Sequence, residues 1–507
     1  MTSTRLDKEV LTTEQSLMYN KMKQSPIKVL QIGEGNFLRG FFDWMLYESR
    51  KQGLYDGSIA VVQPRPTGKP NIEALSAQDG IYTLVTRGLE NNVPTERVDQ
   101  ITVFSTAFDP YEHWDKFIAL AELPELKIVV SNTTEAGLTY RPEQWKEGEP
   151  IASYPGKLTA LLYYRFKAFQ GDPERGFICL PCELLERNGD TLRECILRYC
   201  EDWQLPAEFR DWIVNHNLFL NSLVDRIVTG YPKQEQADAW FDEWGYRDPM
   251  LTTAEPYHLW AIEGDPSLDR NLPLAAAGLN VLWVEDLKPF QVRKVSILNG
   301  AHTFMALYGL LQGVQEVRLA MEDSHISKLI KRTIQTEIIP SLPYDSADLQ
   351  QYAEQVYERF LNPFIQHRLT DIAMNSLSKF RTRLLPAIQY YLQNEQSALL
   401  PQGLATVFAA LIRYYQVQKV EAGFQGESFT GEFYILRDDP DLLDQIANIW
   451  SSYSDFSRDY SSISLHQAVA QILQLEALWG FNIHVSNPNL AEQLTAIMMR
   501  WEESSNE

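Results

Sequence analysis

The sequence predicts an α/β chain whose first half is a mostly parallel sheet flanked by helices and whose second half is mainly α-helical. Three observations carry that reading. Short apolar runs alternate with amphipathic stretches in the first half, a glycine-rich turn follows the first of those runs, and helical periodicity takes over near Pro289.

The apolar runs are 27–32 (IKVLQI), 58–62, 126–130 (LKIVV) and 177–180. Between them, 40–49 (GFFDWMLYES) and 157–169 carry helical patterns. Strands alternating with helices imply parallel strands covered on both faces, with ligands bound beyond their carboxyl ends. In the second half, polar and proline clusters such as SLPYDSAD, LPQG, RDDPD and VSNPN separate helical stretches at 289–311, 324–338, 346–361, 376–393, 404–418, 442–453, 463–479 and 489–501. The boundary is expected between Gly264 and Val284. That gives a first domain of 25–275, a helical domain of 276–503, and 1–24 as an N-terminal extension.

Composition narrows the function classes. The net charge is −22 over 507 residues, and no block of Lys and Arg is present, which argues against nucleic acid as a partner. No apolar run has the length of a membrane span, and the first twenty-five residues lack a signal-type apolar core, so a cytoplasmic location is expected. Any anionic substrate requires a local cluster of cations that overcomes the field of the whole chain.

Cys179, Cys182, Cys195 and Cys200 have a spacing, C-x2-C-x12-C-x4-C, that invites a zinc reading. The first two fall in a predicted buried strand and its exit, the others on an amphipathic helix. Ordinary core cysteines and no metal are expected, since free cysteine is among the most buried residue types.

The glycine turn is Ile32-Gly33-Glu34-Gly35-Asn36-Phe37-Leu38-Arg39-Gly40. It leaves the first strand and opens a helix. One glycine permits the tight turn, the next lets backbone approach a pyrophosphate, and the helix start offers free N–H groups. That pattern predicts a Rossmann-like dinucleotide site, although Leu38 stands where a third small residue is usual. The alternative is a plain strand-to-helix turn. The polar segment Ser131-Asn132-Thr133-Thr134-Glu135 ends another strand at the same edge, which adds Thr134 and Glu135 to the candidate cofactor residues. An acid after the second strand would bind the adenosine ribose and favour NAD. None is present after Gln63, and Arg65 and Lys69 are able to receive a 2′-phosphate, so these residues leave NADP open.

Lys294, Asn299 and His302 lie on a predicted helix beginning at Pro289. At about 100° per residue, Asn299 lies roughly 140° and His302 roughly 80° around from Lys294, within one face. A lysine whose pKa is lowered by burial can take a hydroxyl proton, while amide and imidazole N–H groups hold the developing alkoxide. The alternative is a polar helix face at a domain boundary, with His302 a satisfied buried histidine.

Together the glycine turn and the K-x4-N-x2-H helix resemble the polyol-specific long-chain dehydrogenase family, which includes mannitol dehydrogenases and hexuronate reductases. The resemblance spans nearly the whole chain. Its hexuronate-reducing members are the ones that QIGEGNFLRG, VVSNTTEAGLTY, LPCELLERNGD, SLVDRIVTGYP, KVSILNGAHT and KFRTRLLP resemble. The resemblance implies NAD-dependent, metal-free oxidoreduction of a sugar acid, with Lys294, Asn299 and His302 as catalytic residues. It implies a monomer or a small homo-oligomer. Mannitol-type members carry C-D-N after the corresponding strand, and this chain has Cys182-Glu183-Leu184, so their oxyanion asparagine is replaced by Leu184.

A sugar acid needs a cationic anchor, best supplied by arginine. Lys379 and Arg226 are the expected anchors, with Arg381 and Arg383 in the same KFRTRLLP segment as further candidates. Glu183 is expected at the substrate hydroxyls, with Glu135 and Glu255 as lesser candidates. The alternatives are surface arginines, a structural Asp225–Arg226 pair and capping carboxylates. Three function classes stay open: a hexuronate reductase, a related enzyme for the mannonate/fructuronate pair or a neutral polyol, and a nucleotide- or zinc-binding protein without turnover.

Overall fold

The computed structural model describes residues 4–393, 399–453 and 462–505. The chain forms two compact units, Met1–Lys288 and Pro289–Glu507.

The first unit is built on six parallel strands: β1 (Ile27–Ile32), β2 (Ser58–Val62), β3 (Phe104–Phe108), β4 (Ile128–Ser131), β5 (Ile178–Pro181) and β6 (Leu218–Phe219). Their order is β3-β2-β1-β4-β5-β6. β2, β4 and β5 are buried along their whole length, as continuous apolar runs covered on both faces must be. Alternate side chains of β1 enter opposite layers. Val29 joins Phe42, Met45 and Trp260, whereas Leu30 and Ile32 join Phe117, Leu158 and Leu161. Each such side chain, fully buried, contributes about 1.5–3 kcal/mol. The winding reverses between β1 and β4, where a doubly wound sheet opens its ligand crevice. Ile32 pairs with both Val62 and Ser131, so the carboxyl ends of β1, β2 and β4 are level there.

The extension expected at 1–24 belongs to this unit. Thr12 forms a capping box with Gln15 at the start of the Thr13–Lys23 helix. Leu6, Leu11, Tyr19 and Met22 share a core with Ile81 and Tyr246, and Thr4–Arg5 pairs in parallel with Tyr246–Arg247. The unit also extends past the expected boundary at 276. Val281–Val284 pairs in parallel with Leu259–Glu263, so the residues up to 288 stay with the first unit.

The second unit is mainly helical and also holds an antiparallel three-stranded sheet, Gln418–Val420, Gly423–Glu427 and Phe433–Leu436. Helical periodicity gave no sign of it, and Gly423 and Gly426 weaken the strand signal. Gly426 is needed there, because a Cβ would lie 2.5 Å from the Tyr434 ring. The predicted helix near Lys294 runs over 288–311 and contains two π turns, Lys294–Asn299 and Met305–Gly309.

Candidate active site

At the carboxyl edge of the first unit, the ends of four strands are laced together. The Gly33 N–H bonds to the Val62 carbonyl at 2.9 Å, and the Cys182 N–H bonds to the Ser131 carbonyl at 2.8 Å. Asn132 donates from its side chain to the Cys182 carbonyl at 2.7 Å. Gly33 has φ +129°, and a Cβ there would stand 2.8 Å from the Asn132 carbonyl oxygen. Only glycine lets the turn after β1 approach the turn after β4 so closely. Gly35 faces open space, with no atom within 4 Å of where its Cβ would be. Thr134 has φ +82°, a costly conformation for a β-branched residue and one that concentrates at functional sites. Thr134 and Glu135 are exposed. Strained backbone, a glycine-only approach and open space at the switch point together fit a dinucleotide.

Other residues at this edge are occupied by the protein itself. Asn36–Arg39 forms one short helical turn in which Phe37 is half-buried and stacks on Phe41, while Leu38 is buried. Arg39 is buried and donates to the Glu34 carbonyl at 3.1 Å, to Asn36 Oδ1 at 2.6 Å and to the Met250 carbonyl. It braces the glycine turn from within.

Glu183 is buried and accepts from Ser131 Oγ at 3.1 Å and from both the N–H and the hydroxyl of Thr133, at 2.9 and 3.0 Å. It shapes the turn after β4, and these contacts describe a bracket in place of the expected hydroxyl reader. Burial raises its carboxyl pKa, and the donors oppose that shift.

Arg226 is buried and donates to the carbonyls of Glu255 and Gly40, at 2.8 and 2.7 Å, with Thr86 Oγ1 at 3.4 Å. Its guanidinium lies 4.1 Å from the Trp44 ring centroid. Burial pushes its pKa down to about 9. Committed on these sides, Arg226 is a strut within the first unit, while Glu255 is buried and accepts from the Ile227 N–H at 2.6 Å. Leu184, at the mannitol-type asparagine position, is 67% exposed and offers only aliphatic carbon.

The 288–311 helix differs. Its first π turn bonds the Gly300 N–H to the Val295 carbonyl, five residues back. A π turn winds more slowly than an α turn, so Lys294 and Asn299 lie closer around the axis than the roughly 140° of uniform α spacing. His302 follows Asn299 by one α-helical turn. The alignment is therefore tighter than uniform α geometry predicts. Lys294 and Asn299 are half-buried, and His302 is buried.

His302 Nε2 is buried with no hydrogen-bond partner. Its ring lies 4.6 Å from that of Phe360 and 4.7 Å from that of His367. Burial first, then His367, Arg359, Arg383 and Lys379, hold its pKa well below the usual value. Arg383 donates to Thr303 Oγ1 at 3.1 Å and lies 3.5 Å from the Asn299 carbonyl. Gly300 permits that approach, since a Cβ there would already be 3.3 Å from Leu384. Lys379 donates to the Ile372 carbonyl at 2.8 Å, and burial followed by Arg383 lowers its pKa. Of the two expected anchors, Lys379 belongs to this cationic cluster, together with the lesser candidate Arg383.

Sequence reasoning missed Arg359 and His367. Arg359 had a signal, because it takes a core-facing position beside Tyr352, Val356 and Phe360 on an amphipathic helix and is buried there. His367 lies in an aperiodic segment and had none.

All four cysteines are buried free thiols, and among the described residues no group of three or more His, Cys, Asp or Glu side chains is arranged to hold a metal ion. Among the described residues no helix is long and apolar enough to cross a membrane.

Comparison with known proteins places these features in a lineage. The model of the mannitol dehydrogenase Rossmann domain matches residues 27–276, and that of the mannitol dehydrogenase C-terminal domain matches 286–500. An altronate oxidoreductase of Halalkalibacterium halodurans is 38% identical over 491 residues, covering 96% of this chain and 94% of the relative. One from Yersinia enterocolitica is 40% identical, covering 93% of this chain and 94% of its own length. One from Bacillus subtilis is 38% identical, covering 95% and 94%. Two solved structures share the fold: a D-sorbitol dehydrogenase in substrate-free form, with TM-score 0.75, 19% identity and 96% of each chain covered, and Pseudomonas fluorescens mannitol 2-dehydrogenase in ternary complex with NAD and D-mannitol. The latter has TM-score 0.63 and 21% identity, and covers 100% of this chain and 96% of that one.

Proposed function

Since this chain belongs to the mannitol dehydrogenase family, we propose that it interconverts D-altronate and D-tagaturonate with NAD, using Lys294 as the acid–base group. The observation that carries the sugar-acid reading is that Arg359, Arg383 and Lys379 all act electrostatically on His302, whose Nε2 is buried and unpartnered. In a chain of net charge −22, such a concentration of cations suits a carboxylate-bearing substrate. The altronate oxidoreductases among its relatives support the same substrate pair.

A bound nicotinamide would take the hydrogen that leaves the substrate carbinol carbon with its electron pair. Gly33, Gly35 and the turn after β4 are the residues that would hold it. In the oxidative direction the neutral Lys294 amine accepts the hydroxyl proton and becomes an ammonium, while the carbon–oxygen bond becomes a carbonyl. The Asn299 amide, one π turn along, donates to the same oxygen. His302 is held neutral by its surroundings, and the tautomer protonated at Nε2 adds a second donor without a second charge. In the reductive direction the Lys294 ammonium returns its proton to the developing alkoxide. With Leu184 at the mannitol-type asparagine position, stabilisation of that oxygen rests on Asn299 and His302.

The test is a panel of tagaturonate, fructuronate and fructose, each with NADH, followed at the nicotinamide absorbance band in the presence of a chelator. Tagaturonate is expected to be reduced fastest and fructose hardly at all. Equal rates for the acid and the neutral ketose would remove the role assigned to the cationic cluster.

A further inference from the structure

The strand β2 lacks the terminal acid that reads an adenosine ribose, yet the structure holds a carboxylate at that place. Glu34 leaves the glycine turn just after Gly33, whose N–H is bonded to Val62 at the end of β2. Its side chain lies against the residues that follow β2. A Cβ built on Gly68 would fall 2.6 Å from Glu34 Oε1, 2.8 Å from Gln63 Cβ and 3.1 Å from Gln63 Cγ. Glu34 and Gln63 are 5% and 0% exposed.

Three of their polar atoms are buried without a hydrogen-bond partner: Glu34 Oε2, Gln63 Oε1 and Gln63 Nε2. Buried polar groups are rarely left unpaired, so three in one place leave donors and acceptors open to a ligand. The glycine at 68 is what leaves room for the carboxylate. With φ −80°, that residue needs no special backbone freedom, so space is the reason for glycine.

We propose that Glu34, supported by Gln63, is the group that binds the adenosine ribose hydroxyls and selects NAD over NADP. The inference rests on the NAD-dependent reading above and adds the residue that sets cofactor choice. A carboxylate accepts from both vicinal hydroxyls of the ribose, and a 2′-phosphate brought to the same place meets its charge in a desolvated setting. Burial raises the Glu34 carboxyl pKa, while Asn71, Arg39 and Arg65 oppose the shift. Two hydroxyl donors would relieve that burial further. The competing arrangement uses exposed Arg65 to receive a 2′-phosphate. Lys69 is less suited to that task, being paired with Glu112 and with Glu73 at 3.6 Å.

The test measures binding of NADH and NADPH to the full chain by fluorescence, with no sugar present. The unaltered protein is expected to prefer NADH. Glu34→Gln should weaken NADH by about ten-fold, the loss of a charged acceptor, and bring the two affinities close together. Gly68→Ala keeps the charge but displaces the carboxylate, so NADH should weaken while NADPH stays excluded; this variant decides the matter if Glu34→Gln does not fold. An unchanged NADH-to-NADPH ratio in folded Glu34→Gln would overturn the assignment and leave the dehydrogenase reading standing. A preference for NADPH that disappears in Arg65→Ala would also overturn it. If the unaltered protein bound neither cofactor, the dehydrogenase reading would fall along with the Glu34 assignment.

Discussion

The first unit and the helix over 288–311 use polar residues in opposite ways. In the first unit, Glu183, Arg226 and Arg39 are buried with their polar atoms engaged by backbone and neighbouring side chains. On the helix, His302 keeps a buried nitrogen without a partner while cations gather round it. A buried polar group that is satisfied internally shapes its surroundings, and one left unsatisfied calls for a role, a ligand among them. The same contrast holds within the first unit, between engaged Glu183 and the open oxygen of Glu34.

The sharpest way to break this comparison is Lys294→Ala. General acid–base groups contribute about 10²- to 10⁴-fold to rate, so kcat for tagaturonate should fall within that range. NADH affinity, measured without substrate, should stay unchanged because the cofactor-binding features lie in the other unit. A variant that keeps most of its turnover would remove Lys294 from the mechanism.

Arg383→Ala tests the cationic cluster. Loss of a charge-assisted contact to a carboxylate predicts a ten- to hundred-fold fall in kcat/KM for the acid, about 1.5–3 kcal/mol. Any residual rate with a neutral ketose should be spared. A parallel fall for both would show that Arg383 acts through its hydrogen bond to Thr303.

How much of this was legible beforehand depended on whether local pattern fixed the geometry. The runs that became β1, β2, β4 and β5 are apolar because both faces are covered, and that pattern survives in one sequence. Gly33 was legible because its conformation excludes a side chain. The closer approach of Lys294 and Asn299 around the helix was not, because α-helical spacing assumes 100° per residue and nothing in KVSILNG announces a π turn. Nor did sequence separate Lys379 from Arg226. Each is a cation in a promising segment, and only tertiary contacts show that one stands beside Arg383 while the other is bound to carbonyls. The acid at the end of β2 was sought in β2 itself, whereas the carboxylate arrives there from the preceding turn.

Glu183→Ala sharpens the contrast from the engaged side. Removing the carboxylate leaves the Thr133 N–H buried without an acceptor, and a cost of about 1–3 kcal/mol is expected. Urea unfolding should show it as a lower midpoint at an unchanged slope. Substrate affinity should change little, since the carboxylate oxygens are already taken by Ser131 and Thr133. If affinity fell and stability held, Glu183 would be a substrate residue after all.

A last test, read as a slope, sets His258 against His302. His258 accepts the Asn280 N–H at Nε2, at 3.0 Å, which leaves Nδ1 to donate to the Pro256 carbonyl at 3.1 Å. Both ring nitrogens are thus used by the neutral form. Burial, aided by Arg226, pushes its pKa down to about 4. In the unfolded chain the imidazole titrates near its ordinary value of about 6.5. Between those two values the unfolded state binds a proton that the folded state does not, so stability rises with pH across the window and falls as pH drops from 6.5 toward 4. The expected slope is about 1 kcal/mol per pH unit near pH 5.5. His258→Asn should remove that component, so the stability difference between the two proteins should shrink as the pH is lowered through the window. Equal slopes would mean that His258 is protonated in the folded state, a charge that the Arg226 guanidinium and the Asn280 N–H both oppose.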